Sequence, residues 1–178
     1  IDDYIAEVKR LDFDMIELST GFIQLPTPDL LRLIEKVRKA GLQPKPEIGI
    51  QFGAGGDTSR AELEAEGTRD PQILIDSANE CLNAGASIIM IESEGITENA
   101  DPWRTDVAAK IMKNVGMANV MFEAADPAVF SWYIKNYGID VNLFIDHSQI
   151  VQLECLRRGI WGTKSTFGRI TTFRLPTA

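Results

Sequence analysis

The feature that most constrains this chain is a strand-then-helix unit that recurs along it with consistent punctuation. A capping residue followed by proline marks four helix starts: Thr27-Pro28, Asp70-Pro71, Asp101-Pro102 and Asp126-Pro127. A Thr or Asp side chain there accepts a hydrogen bond from an otherwise unpaired backbone N–H, and proline at the first helical position has no N–H to lose. Gly41, Gly85, Gly116, Gly138 and Gly159 mark the helix ends, because glycine enters the left-handed conformation that stops a helix. Between the marks the apolar spacing is helical, with faces Leu30/Ile34/Val37, Leu74/Ala78/Cys81, Val107/Ile111/Val115, Phe130/Ile134/Tyr137 and Ile150/Leu153/Leu156.

Each glycine is soon followed by a short strand-like run. The predicted strands are 14–18, 43–48, 87–92, 119–123 and 141–145, with a short last one at 160–163. Near-continuous apolar runs separated by crossover helices suit a parallel sheet covered on both faces. Pro44 and Pro46 are awkward for a central strand. The stretch from Phe52 to Glu66 reads as one long loop or insertion.

Composition excludes several classes. The 178 residues carry 18 Lys+Arg against 26 Asp+Glu, a net charge of −8, which argues against nucleic-acid or anionic-membrane partners. No apolar run reaches the ~18 residues of a membrane span, and the first residues show no signal-peptide pattern. Cys81 and Cys155 are isolated, which fits a reducing, cytoplasmic setting better than a disulfide framework. Their expected role, like that of Trp103, Trp132 and Trp161, is packing.

The chemical signal is positional. Glu17, Glu47, Glu92 and Glu123 each fall at or near the C-terminal end of a predicted strand, and Asn142 lies on the next one. That end of a parallel sheet carries the active site in barrels and open α/β folds. Carboxylates converging there need a cation, and Mg²⁺, which takes carboxylate and water oxygens, is the natural one; the alternative is that some point away and pair with Lys or Arg. Lys45 shares a strand face with Glu47, two residues on, so it either reaches the pocket or neutralises Glu47. His147 beside Asp146 and Ser148 is either a general acid or base at the mouth or a residue at a capped helix start. Gly162, Lys164, Ser165 and Arg169 lie where the last loops of a barrel often bind phosphate, and together they could hold a dianion. The Gly53–Ser59 loop fits neither a P-loop nor GxGxxG and reads as a lid or a plain surface loop. No GxSxG elbow is present for a serine hydrolase.

The successive phrases Met15-Ile16-Glu17-Leu18-Ser19-Thr20-Gly21, Pro46-Glu47-Ile48-Gly49, Ile89-Met90-Ile91-Glu92 and Val120-Met121-Phe122-Glu123-Ala124 resemble the strand motifs of the phosphosulfolactate synthase family. Val141-Asn142-Leu143 and Leu153–Gly159 continue the match in order. The resemblance implies a (β/α)₈ TIM barrel and Mg²⁺-dependent addition of sulfite to phosphoenolpyruvate, an early step of coenzyme M synthesis. The chain departs from that pattern at the cations the resemblance assigns to sulfite and phosphate. Ile50 and Gln51 stand where synthases carry lysines, Ser93-Glu94-Gly95 where they carry an arginine, and Ala125-Asp126-Pro127 where Lys and Gln follow. In these departures it is similar to the heat-stress-associated branch of the family.

The expectation is therefore a single partial TIM-barrel domain over residues 1–178, holding strands three to eight, with the first two βα units absent from this chain and the whole protein longer. The leading function is a carbon–sulfur lyase or synthase acting on a small phosphorylated three-carbon acid. Glu17, Glu47, Glu92 and Glu123 would be its metal ligands. Glu47, Glu92, Lys45 and His147 would be catalytic, and Asn142, Gly162, Lys164, Ser165 and Arg169 would bind the anionic substrate. The alternative is a non-catalytic heat-stress-associated protein working through partners and docking them on 52–66. A homo-oligomer is compatible with either.

Overall fold

The computed structural model describes residues 1–19, 25–51 and 58–160, and the chain divides into two compact units, one ending at Val120 and the other beginning at Met121. The first unit opens with α1 (Asp2–Arg10), β1 (Met15–Leu18), α2 (Thr27–Lys39) and β2 (Gln43–Ile48). It continues with α3 (Arg60–Glu66), α4 (Pro71–Asn83), β3 (Ile89–Ile91) and α5 (Thr105–Asn114). The second unit holds β4 (Val120–Glu123, whose first residue closes the first unit), α6 (Pro127–Tyr137), β5 (Leu143–Phe144) and α7 (Ile150–Arg157). Strands and helices alternate, and neighbouring strands within each unit run parallel, as crossover helices require. No described helix is long and apolar enough to cross a membrane.

In the first unit the order is β1-β2-β3. β2 buries Pro44, Pro46 and Ile48 on one face and turns Lys45 and Glu47 to the other, the period-2 alternation of a strand. Its prolines are tolerated for a reason visible in the ladder. Gln43 donates to the Asp14 carbonyl at 2.8 Å on the β1 side, while the Pro44 carbonyl accepts from Ser87 at 2.9 Å on the β3 side. The missing proline N–H groups therefore address β3, whose paired residues, Glu47↔Met90 and Ile48↔Ile91, lie beyond both prolines. α2 and α4 pack on β2, bringing Leu30, Ile34 and Val37 together with Leu74, Ala78 and Cys81 into the core. Burial pushes the Cys81 thiol up to about 11, so it behaves as a small apolar side chain. In the second unit β4 and β5 pair through Phe122↔Leu143 and Glu123↔Phe144. Phe122 stacks on Tyr133 of α6 with ring centroids 4.7 Å apart.

The punctuation is only partly as expected. The glycines at the five helix ends all have positive φ. Asp70 and Asp126 cap their helices, accepting from Gln72 at 3.0 Å and Ala128 at 2.6 Å. Removing the first cap with Asp70→Ala is expected to cost about 1 kcal/mol in urea denaturation. Thr27 does not cap: the N-cap is Pro26, and Thr27 is already helical. Asp101-Pro102 starts no helix either. That peptide is cis, and α5 begins at Thr105, after Arg104 has donated its backbone N–H to the Ile96 carbonyl at 2.8 Å. The stretch 52–66 is not all loop, because Ser59 and Glu62 form a capping box that starts α3. Ile150 is 55% exposed, so the buried stripe of α7 reduces to Leu153 and Leu156. Tyr133 rather than Tyr137 completes the buried face of α6. Ile160 lies in a turn, and the rest of the last expected strand, 161–163, lies outside the described residues, as do Trp161 and the glycines of the 53–57 loop.

Candidate functional site

Glu17 and Glu47 are the penultimate residues of β1 and β2, Glu92 follows β3 directly, and Glu123 ends β4. Register decides which of them meet in the first unit. Glu17 is paired with Lys45, and Glu47 with Met90. Glu92, two residues beyond Met90, returns to the same face. Glu17, Lys45, Glu47 and Glu92 thus project from one face of the three strands.

Lys45 Nζ lies 2.7 Å from a Glu17 oxygen, with the lysine side chain only 12% exposed and Glu17 at 37%. Of the two sequence alternatives for this lysine, the first describes its placement, since it points to the carboxylates, and the ion pair it forms there is with Glu17. Ser19 Oγ donates to Glu47 Oε1 at 3.2 Å. Glu47 is also within hydrogen-bonding reach of both Glu17 and Glu92. Burial, together with the negative charge and hydrogen bond of Glu17, holds the Glu47 carboxyl above the usual carboxylate range. Its hydrogen bonds to Ser19 and Glu92 offset this only in part. Two carboxyl groups in mutual hydrogen-bonding distance need a shared proton or a cation, and this row places three in succession.

The turn after β3 organises the far end of the row. The backbone N–H groups of Ile96, Thr97 and Glu98 all converge on the Ser93 carbonyl at 2.9–3.0 Å. Ser93 Oγ donates to Glu98 Oε2 at 2.6 Å and approaches Glu92 Oε1 at 3.5 Å, and the Glu94 N–H donates to the same Glu92 oxygen at 3.1 Å. One oxygen of Glu92 and one of Glu98 lie within 4.8 Å of each other. Glu92 is 4% exposed and Glu94 is fully buried. A Glu94 oxygen accepts from the Thr58 N–H at 2.9 Å, while Asn99 donates to the Thr58 carbonyl at 3.1 Å. Ser19, Glu94 and Glu98 are thus parts of the site that strand-end reasoning did not single out. The signal for the last two is the Glu92-Ser93-Glu94…Glu98 run itself, whose turn folds it back on β3.

The remaining candidates lie in the second unit or outside the described residues. Glu123 is half-buried in the second unit. There too, Asn142 accepts through its carbonyl from the Phe122 N–H at 3.0 Å. His147 opens a single 3-10 turn, His147–Gln149, capped by Asp146, which accepts from the Ser148 N–H at 2.8 Å, and its side chain is 92% exposed. Gly162, Lys164, Ser165 and Arg169 lie outside the described residues.

Fold and site together define a parallel α/β protein with an acidic polar site at the C-terminal ends of its strands. The model of the family (2R)-phospho-3-sulfolactate synthase (ComA) matches residues 1–163, and the chain belongs to that family. It is 38% identical to Protein HEAT-STRESS-ASSOCIATED 32 of Arabidopsis thaliana, over 87% of this chain and 58% of that protein. It is 26% identical to the phosphosulfolactate synthase of Methanothermobacter thermautotrophicus, over 96% of this chain and 64% of that enzyme. With the phosphosulfolactate synthase of Methanocaldococcus jannaschii it shares 25%, over 95% of this chain and 65% of that enzyme. The chain spans about three fifths of the length of the curated relatives it matches.

Proposed function

We propose that this chain carries the metal-binding part of a phosphosulfolactate-synthase-like site, on strands three to five of a (β/α)₈ barrel, and that the site adds sulfite or a related nucleophile to phosphoenolpyruvate or a similar phosphorylated three-carbon acid. The observation that carries the proposal is Glu47 held in hydrogen-bonding reach of both Glu17 and Glu92, with its carboxyl pushed upward by burial. Such an all-oxygen donor set suits a hard divalent cation, and Glu47, Glu92 and Glu17 are the residues that would hold Mg²⁺. Bound there, the ion would act as a Lewis acid toward the substrate's carboxylate.

In the reaction the sulfur lone pair forms the C–S bond at the methylene carbon. The C=C pair moves toward the carboxylate, and a proton is then added at the phosphate-bearing carbon. Lys45, whose ammonium lies 2.7 Å from Glu17, is the proton donor in this reading, since Glu47 holds no proton while it serves as a ligand. Lys45 holds Glu17 in place and supplies positive charge beside the reacting anion. Glu123, Asn142 and His147 belong to the second unit and enter as candidates through single substitutions. Lys164, Ser165 and Arg169, with Gly162, remain the proposed phosphate group.

Incubating the full-length protein with Mg²⁺, phosphoenolpyruvate and sulfite should give phosphosulfolactate, read by ³¹P NMR. Glu92→Gln should lower the rate at least ~100-fold, as loss of a charge-stabilising group in a buried site does. No product with Mg²⁺ present sinks the reaction, and Mg²⁺ binding unchanged in Glu92→Gln sinks the metal assignment.

A second reading is favoured by the higher identity to the heat-stress-associated relative, 38% against 26% and 25%. In it the chain is non-catalytic and acts through a protein partner docked on 52–66, which includes α3. A pulldown that recovers the same partners after deletion of that stretch counts against it.

A further inference from the structure

The turn after β3 carries a carboxylate that the reading above does not use as a ligand. Glu94 is fully buried, so its side chain meets no substrate arriving from solvent. A carboxylate taken wholly out of water is costly unless hydrogen bonds meet its oxygens. Here the side chain and the backbone of one residue reach in two directions. Glu94 Oε1 accepts from the Thr58 N–H at 2.9 Å, while the Glu94 N–H donates to Glu92 Oε1 at 3.1 Å. Glu94 therefore bridges Thr58 and Glu92.

Thr58 is held from a second side. Its carbonyl accepts from Asn99 Nδ2 at 3.1 Å, so the same turn takes both backbone polar groups of Thr58. Asn99 has φ +51°, a left-handed conformation that asparagine tolerates better than most residues. Between the two contacts the turn is braced: the Gly95 N–H donates to the Glu98 carbonyl at 2.9 Å, and the N–H groups of Ile96, Thr97 and Glu98 converge on the Ser93 carbonyl. Ser59, directly after Thr58, opens α3 through its capping box with Glu62. The start of α3 is thus joined to Glu92 by one continuous run of backbone and hydrogen bonds. Outer hydrogen bonds of this kind orient the carboxylates that ligate metals, and losing one typically weakens metal binding about 10–100-fold.

We propose that Glu94 is a positioning residue, which ties the start of α3 to Glu92 and so sets the affinity of the acidic row for a divalent cation. The inference rests on the metal reading of that row, and the experiment separates the two. Mg²⁺ binding to the full-length protein is measured by calorimetry, and exchange of the backbone amides at positions 58 and 94 by NMR. Glu94→Leu fills the space but offers Thr58 no acceptor. It should weaken Mg²⁺ binding about tenfold and speed exchange at both amides in EDTA. Glu94→Gln keeps the acceptor without the charge, and should keep most of the native affinity and the protection of both amides. Coupling is reciprocal, so Mg²⁺ should slow exchange at Thr58 in the native protein and not in Glu94→Leu. If Glu94→Leu does not fold, Asn99→Gly decides: it accepts the same φ, frees the Thr58 carbonyl and should weaken Mg²⁺ a few-fold. A native protein that binds no Mg²⁺ overturns the metal reading and this proposal together. Native binding that Glu94→Leu matches overturns the proposal alone. Equal losses in Glu94→Leu and Glu94→Gln overturn it too, since the charge of Glu94, not its hold on Thr58, would then set the affinity.

Discussion

Replacing Lys45 with methionine is expected to lower stability by about 1–3 kcal/mol at pH 7 without divalent cation, and Mg²⁺ is expected to restore a large part of the loss. The range lies between the ~0–1 kcal/mol of an exposed ion pair and the ~3–5 kcal/mol for breaking a buried one. The Lys45–Glu17 pair sits between those limits, with the lysine nearly enclosed and the glutamate about one-third exposed. Methionine keeps the apolar stem and removes the charge. The row Glu17, Glu47, Glu92 then keeps its repulsion and loses its neighbouring ammonium, so a cation that binds the folded state gains leverage. Thermal melts of both proteins with Mg²⁺ or EDTA check this. A variant whose melting point ignores Mg²⁺ while the native protein responds would make Lys45 part of the ion's binding rather than its competitor.

Much of the fold was legible because its signals are local. A glycine after a helical face needs only its own φ to end the helix, and all five such positions have positive φ. The Asp70 and Asp126 caps are equally local, each closing on a backbone N–H two residues ahead. The failures are places where a local signal was overridden or hidden. Thr27 precedes a proline as a cap would, but Pro26 takes the cap position and the helix starts one residue earlier. Asp101-Pro102 has the same dipeptide as two real helix starts, yet the chain first returns to the β3 turn through the Arg104 N–H. The Ser59-x-x-Glu62 box was present in the sequence but followed a glycine-rich run that drew the whole stretch toward loop.

The site divides along the same line. Alternation along β2 is enough to put Lys45 and Glu47 on one face. That Lys45 grips Glu17 is a matter of inter-strand register, which no single strand encodes. The roles of Ser19 and Glu94 are equally non-local: one reaches Glu47 from beyond the end of β1, and the other is buried by the turn and closed by Thr58.

That register bears most directly on Glu47. Glu47→Gln is expected to raise stability at pH 7 and to abolish the thermal response to Mg²⁺. Glutamine keeps the acceptor for Ser19 and removes the charge that burial and Glu17 disfavour. Because the folded protein holds the Glu47 proton more tightly than the unfolded chain, ionisation costs stability. That cost is absent below the unfolded value of 4.5, grows as pH rises through the raised folded value, and persists above it. The variant's advantage should therefore appear only above about pH 4.5 and level off once Glu47 is ionised. Glu47 is only half-buried, so solvent screens the unfavourable charge and the advantage is expected to be modest. Mg²⁺ reverses the order by turning the repelling oxygens of the native protein into ligands, worth ~2.7 kcal/mol at one hundred times its dissociation constant. Urea denaturation from pH 4 to 8, with and without Mg²⁺, reads both effects. An advantage for glutamine that is the same at every pH would show that packing, not charge, sets the difference. Equal Mg²⁺ stabilisation of the two proteins would place the ion away from Glu47.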